Sequence, residues 1–391
     1  MWSSSAAERA TARESPLAAL DALVGQLARA TRVLPALIPK NAWAERARLT
    51  QALTRGEPLV PRWTLEPRAP EPALHRALAT ARQLVEAVRG HPLGDLYAER
   101  LEELELDVAL VEALGRAPLV RPLARRRYGD GATKAHDGEK DTTLGEVARR
   151  LLAQPAPAAE PLELPTDGGP RSMAGAMRVA IMAAGLEVEV RVEPRLSAGA
   201  AAGDRTIFVA ARRFGRRECQ RLVAHEVLGH AVAAANGALH PLRLVETGTA
   251  QSFADQEGVA IVLEEAAGVL DPARVRVLAA RVVATDAMHA GASFAETARV
   301  LHEDLGLGPD LSIAIAERAH RGGGVARDAG YLAGYLRVRG AIARGEVTLD
   351  ELRAGRVSVR AVSVLRALGV PLRHRPDLAV VLARVRVAIE A

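Results

Sequence analysis

Cysteine is almost missing from this chain of 391 residues, and Cys219 stands alone. No intramolecular disulfide can form, which suits a reducing compartment. Aromatic residues are also scarce, at 3%, and the prominence of Ala, Leu, Val and Arg favours helices. No window of about 18 uncharged apolar residues occurs, so no membrane span is expected. Nor does one sign of charge dominate: 52 Lys+Arg face 47 Asp+Glu, a formal net charge of +5. The arginines are scattered, without a basic arm or an aromatic-studded basic motif, which argues against nucleic-acid binding. The first residues, MWSSSAAERATARESPLAAL, carry charges where a signal peptide would place its apolar core. These absences lead to the expectation of a cytoplasmic globular protein, long enough for two or three domains.

What is present divides at its helix breakers. From 15 to 37, Leu17, Leu20, Leu23, Val24, Leu27 and Val33 fall at helical spacing until Pro35 and Pro39 end the pattern. Asn41 is a candidate cap for a second helix reaching Leu53. The proline-rich EPLVPRWTLEPRAPEP then leads to two antiparallel helices over 73–93 and 95–116, and a shorter one ends near Tyr128. Residues 129–142 read as an exposed polar loop, followed by a short helix over roughly 143–153. The breaker-rich stretch 153–171 is the expected boundary between a helical N-terminal region, 1–153, and a second domain, 172–391. In the latter, a helix over 172–185 precedes strand-like runs at 187–194 and 205–211, with a hairpin loop between them. One helix is expected over 216–235. Everything after Gln256 reads as mostly helical, down to a last helix over 375–390. The expected class is α+β, mostly helical, with a small β-sheet feeding one central helix.

That helix carries HEVLGH at 225–230, and QEGVA follows at 256–260. Two imidazoles and a carboxylate can hold zinc while a water occupies the open position and a free Glu deprotonates it. His225, His230 and Glu257 are therefore candidate ligands, and Glu226 is the candidate base of a zinc metallopeptidase. The common motif spaces its histidines four apart on one helical face. Here they are five apart, which on an ideal helix rotates them by about 140°. A one-residue π-bulge would return both to one side, and Gly229 sits inside the turn that must deform. The plainer alternative is an ordinary helix with two unrelated histidines. His240, Glu246, Asp255, Glu264 and Glu265 are rivals for the third ligand position. Glu264 is also a candidate partner for a ligand imidazole, and an exchange with Glu257 stays open.

With these residues the chain resembles the family of HExxxH metallopeptidases named for a QEGLA motif, which includes the microtubule-associated tyrosine carboxypeptidases. The resemblance rests on HEVLGH, QEGVA and RGGG at 321–324, the last followed by RDAGYLAGYLRVRG. Weaker similarity covers LIPKN at 37–41, LYAERLEELELDVALVEALG and RRYGD at 126–130. It implies a zincin-like metallopeptidase domain with a helical N-terminal region packed on it. It also implies His225, His230 and Glu257 as ligands and Glu226 as the catalytic glutamate. The departures are Val259 in place of the motif's leucine, and His320 directly before RGGG.

A carboxypeptidase must hold a free α-carboxylate, and a bidentate arginine is the obvious device. Arg318, Arg321 and Arg327 flank the glycine run; Arg321 and Arg327 are the chosen candidates, with Gly322 and Gly323 as a backbone anion nest. The plainer reading is a tight helix–helix turn with solvated arginines. Tyr331 and Tyr335, four apart on one helical face, are candidate donors to a developing oxyanion, or else packing residues. His302-Glu303 reads as a helix surface pair; His289 and His320 are candidate neighbours of the active site that read better as structural. The expected function is removal of a C-terminal residue from a peptide or protein, an aromatic one by resemblance only. The rivals are a zinc endopeptidase with the same centre and a non-catalytic binding protein on this fold.

Overall fold

Hydroxyls and carboxylates start many of the helices. Ser15 accepts from the Ala18 N–H ahead of Pro16–Ala30, and Ser172 caps Met173–Ala183. Asp271 accepts from Arg274 N–H at the head of Pro272–His289. Thr143, Ser293 and Thr348 form reciprocal capping boxes with the glutamates three residues on. The computed structural model describes residues 15–372 apart from 67–68, 137, 139, 156–160, 162 and 204, together with 380–381 and 383–384. Most of the expected helix at 375–390 lies outside them.

Among the described residues the architecture is α+β and mostly helical, with two small sheets. No helix among the described residues is long and apolar enough to cross a membrane. The N-terminal pattern breaks into Pro16–Ala30 and Val33–Leu37. Asn41 precedes Ala42–Thr54, but its side chain makes no cap bond there. It bonds the Arg62 carbonyl and the Thr64 N–H instead, pinning the proline-rich passage to the helix start. Pro72–Ala87 and Gly94–Ala113 pack together as expected, and Ala117–Tyr128 follows.

Two strand expectations need correction. The stretch 129–142 contains an antiparallel hairpin, Lys134–His136 with Asp141–Thr143. In the main sheet, Glu189–Glu193 pairs with Thr206–Ala210 in parallel, not as a hairpin. The intervening alanines supply their own strand, Ala200–Ala202, antiparallel to the other side of Thr206–Ala210. Alanine is a weak strand former, which hid this edge strand in the sequence.

The largest core joins both halves of the chain: Leu20, Leu27, Leu96 and Leu104 pack with Met177, Phe214, Val227 and Leu228. Leu49, Leu53 and Leu59 join Phe294, Leu301 and Ile313 in another cluster, and Leu144 and Val147 join Ile261 and Leu278 in a third. Truncating any one of these buried leucines to alanine would cost about 2–5 kcal/mol. Helices from opposite ends of the chain are thereby held around one cleft.

Candidate metal centre

The five-residue spacing dictates the local backbone. His225 and His230 occupy a π-helical stretch, Val223–Ala231, between the α-helical turns Arg216–Leu222 and Val232–Ala238. In the wider turn, positions five apart return to one side, and the imidazoles meet edge to face with centroids 4.9 Å apart. Gly229 also makes room for a neighbour. A Cβ there would come within 3.0 Å of the Ala260 Cβ on the crossing helix Ser252–Ala266. On that helix's other side, a Cβ on Gly258 would collide with the Gly334 carbonyl of Ala329–Ala343. Small residues thus let three helices approach closely, bringing Glu257 and Tyr331 toward the histidines.

Glu257 Oε2 lies 3.3 Å from His225 Nε2 and 3.6 Å from His230 Nε2. One donor atom from each of the three residues lies within 4.8 Å of the other two. Ligands about 2.1 Å from a tetrahedral zinc ion stand about 3.4 Å apart. Glu257 Oε2 is also buried with no hydrogen-bond partner among the described residues, a polar atom that a cation would satisfy. The donor set therefore fits a zinc-sized ion.

Glu264 orients the first histidine: its Oε1 is 2.7 Å from His225 Nδ1, leaving Nε2 to face Glu257. Arg274 holds Glu264 through two 3.2 Å hydrogen bonds, and Arg221 stands 3.8 Å away. Burial opposes charge on His225, yet the carboxylates of Glu257 and Glu264 prevail and raise it to about 9. Burial also opposes charge on Glu257, but His230 and His225 hold its carboxyl well below the usual range. Glu264 is lowered to about 2 because Arg274 and His225 outweigh its burial. Negative charge is gathered here around two imidazoles. Glu226 follows a candidate ligand in the chain, but its Oε2 turns to the edge strand and accepts from the Ala202 N–H at 2.8 Å.

These groups line a cleft of about 890 Å³. Among the described residues, ten arginines border it against four acids, Glu218, Glu226, Glu257 and Asp271, so cationic side chains outnumber anionic ones along its wall. Arg318 makes a two-point pair with Asp328, and Arg46 bonds Glu317. Arg281 stands 3.6 Å from Asp328 and Arg321 3.8 Å from Glu317, so these two carboxylates serve four guanidiniums. Arg281 Nε and Nη1 and Arg321 Nε are buried with no hydrogen-bond partner among the described residues. Burial and the adjacent Arg318 lower both arginines to about 10. Arg327 also lines the cleft, its guanidinium 4.0 Å from the Phe253 ring centroid.

The two tyrosines separate. Tyr331 lines the cleft, with its hydroxyl 3.5 Å from Arg318 Nη2 and the Arg281 guanidinium over its ring. Burial and the Glu257 charge raise its phenol. Tyr335 lies outside the cleft, where burial and Glu265 push it up to about 12.

The glycine run also departs from expectation. Gly322, Gly323 and Gly324 have φ of 69, 94 and 106°. Gly322 faces the N-terminal helices: a Cβ there would press on Leu37 and Leu114 at 2.7 and 2.9 Å, and its carbonyl accepts from Gly115 N–H. Neither Gly322 nor Gly323 lines the cleft, so the expected anion nest gives way to a packed turn, while Arg321 and Arg327 on either side both do line it. His289 and His320 do not line the cleft; His320 bonds Thr297. The reading of sequence missed Arg46, Arg274, Arg281 and the Ala202 amide. No local motif marks them, because each reaches the site from an element other than the helices that carry HEVLGH and QEGVA.

A family model described as microtubule-associated tyrosine carboxypeptidase matches residues 56–370. No curated protein and no solved structure matches the chain. The cleft residues Leu34, Ile38 and Arg46 precede the matched span.

Proposed function

The chain belongs to the microtubule-associated tyrosine carboxypeptidase family, and from that premise we propose that it is a zinc-dependent carboxypeptidase with a zincin-like catalytic core, acting on a peptide or protein C-terminus. One observation carries the reading: a three-donor cation site, a separate carboxylate and guanidiniums with unpaired N–H groups share one cleft.

His225, His230 and Glu257 would hold the ion. Bound zinc supplies a Lewis acid for the scissile carbonyl and an acidified water as nucleophile. Glu226 takes the proton of the attacking water and passes it to the leaving amine. Its bond to the Ala202 N–H fixes one carboxylate oxygen and leaves the other for that proton. The Tyr331 hydroxyl donates to the carbonyl oxygen as negative charge develops. Arg281, with Arg321 and Arg327, receives the terminal α-carboxylate through charge-assisted hydrogen bonds. Val277, Leu311, Ala314 and Ile315 add an apolar surface suited to an aromatic terminal side chain.

Mass spectrometry of peptides incubated with zinc-loaded protein tests this reading, each peptide offered with a free and an amidated C-terminus. The expected result is loss of single terminal residues from the free acids only, and none with E226Q protein. Internal cuts indifferent to amidation would replace the reading with an endopeptidase. Peptide binding without cleavage by zinc-loaded protein would replace it with a binding protein.

A further inference from the structure

We propose that Arg353 is a positioning residue for the metal site, holding the π-helical register that keeps His225 and His230 on one side. The proposal rests on reading His225, His230 and Glu257 as metal ligands. Its starting point is a displaced hydrogen bond. In an α-helix the Leu228 carbonyl would accept from the Val232 N–H, four residues on. Here the Val232 N–H turns to the Val227 and Gly229 carbonyls, so Leu228 O loses that donor at a buried position. Arg353 Nε takes its place at 3.1 Å. Without that donor the backbone gains by returning to α-helical register, which would satisfy Leu228 and rotate the histidines apart by about 140°.

Arg353 is poorly explained as a general stabiliser. Among the described residues it is the largest of the fully buried side chains, at 0% exposure, and it does not line the cleft. Its carboxylate contact among the described residues is Asp350, 3.2 Å away and half-exposed, while Nη2 is buried with no hydrogen-bond partner among them. A buried charge so weakly neutralised is a costly way to add stability, whereas selecting one backbone register is a role such groups can serve. The surrounding segment is fastened to both ligand-bearing helices. On the histidine helix, Asn236 Nδ2 donates to the Arg353 carbonyl at 2.8 Å. On the glutamate helix, Gln256 Nε2 donates to the Leu352 and Val357 carbonyls, both at 3.0 Å, and Asp255 accepts from the Val359 N–H at 2.9 Å. Residues 352–359 thus tie the π-helical stretch to the helix that carries Glu257.

The test compares wild type, R353M and R353K by chelator competition with zinc and by the visible spectrum of the cobalt-substituted proteins. R353M keeps bulk without a donor. It is expected to bind zinc about 10–100-fold more weakly, the range for lost outer-shell support, with an altered cobalt spectrum. R353K, which retains a donor, recovers part of the loss. Wild-type affinity and spectrum in R353M would overturn the proposal, as would a lower melting temperature with unchanged affinity and spectrum. Hydrogen exchange on the wild-type protein needs no variant and decides the matter if R353M does not fold. Because coupling between sites is reciprocal, zinc should slow amide exchange across 352–359 as well as 223–233. Slowing confined to 223–233 would overturn the proposal. Failure of the wild type to bind zinc would remove the reading of the ligands itself, an outcome distinct from the others.

Discussion

The two ends of the cleft have opposite electrostatic deficits. Around His225 and His230, Glu257 Oε2 is buried with no hydrogen-bond partner among the described residues, and Glu264 and Glu226 stand close by, so an acceptor there lacks a donor. Around Asp328 and Glu317, Arg281 and Arg321 keep N–H groups without acceptors, so that cluster lacks negative charge. Tyr331 stands between them, sensing Glu257 on one side and touching Arg318 on the other. A buried polar group without a partner costs free energy. Its persistence at both ends points to ligands of opposite sign, a cation at one and a carboxylate at the other.

The largest effects come from breaking the cation end. E226Q should retain metal and lose about 10²–10⁴-fold in kcat, as removal of a general base does; equal zinc content with unchanged turnover would exclude Glu226 as the base. E257Q should weaken zinc binding beyond the roughly 10–100-fold that an outer-shell loss costs, measured by the same chelator competition.

The arginine end is tested first through stability. D328N removes the partner of Arg318 and should cost about 3–5 kcal/mol, read by urea unfolding. Despite its burial, Asp328 is held below the usual carboxylate range by Arg318 and Arg281. Its stabilising effect is therefore present above the unfolded-state value near about 4 and is lost as pH falls below it. Wild-type stability should drop below about pH 4, and D328N should drop less steeply. Glu264, held near about 2, keeps part of the slope in the variant. Equal acid slopes would contradict this account of Asp328.

Smaller effects separate the proposed donors. Y331F should reduce kcat about 10²–10³-fold, the loss typical of one oxyanion donor, while Y335F should change it by less than about twofold because Tyr335 lies outside the cleft. R281M should lower kcat/KM for free-acid peptides about 10–100-fold, the equivalent of one charged hydrogen bond. A uniform loss that ignored the terminal carboxylate would move the anion site elsewhere.

The sequence was most legible where chemistry is local. His225, Glu226 and His230 lie within one helical passage, and Glu257 lies within a second. Their five-residue spacing required an underwound turn because an α-helix would separate the imidazoles, and the structure has that turn. The helices carry caps or regular apolar spacing, so most could be read. The edge strand could not, because Ala200–Ala202 carries no apolar/polar alternation and little strand preference. The arginine end was only half legible. Arg321 and Arg327 were marked by the glycines between them, but Gly322 packs on Leu37 and Leu114, Gly323 on Ala117 and Gly324 on Met288. Arg281 sits mid-helix without any local mark; only the packing of Pro272–His289 beside Pro309–His320 gives it a place in the cleft.

The most direct measurement is an anomalous-scattering crystal structure of zinc-loaded E226Q protein with a free-acid peptide bound. The account predicts a zinc peak about 2.1 Å from His225 Nε2, His230 Nε2 and a Glu257 oxygen. The peptide's terminal carboxylate should lie on Arg281 and its last carbonyl oxygen beside Tyr331. Zinc bound elsewhere, or a peptide whose terminal carboxylate lies away from the arginines, would contradict it.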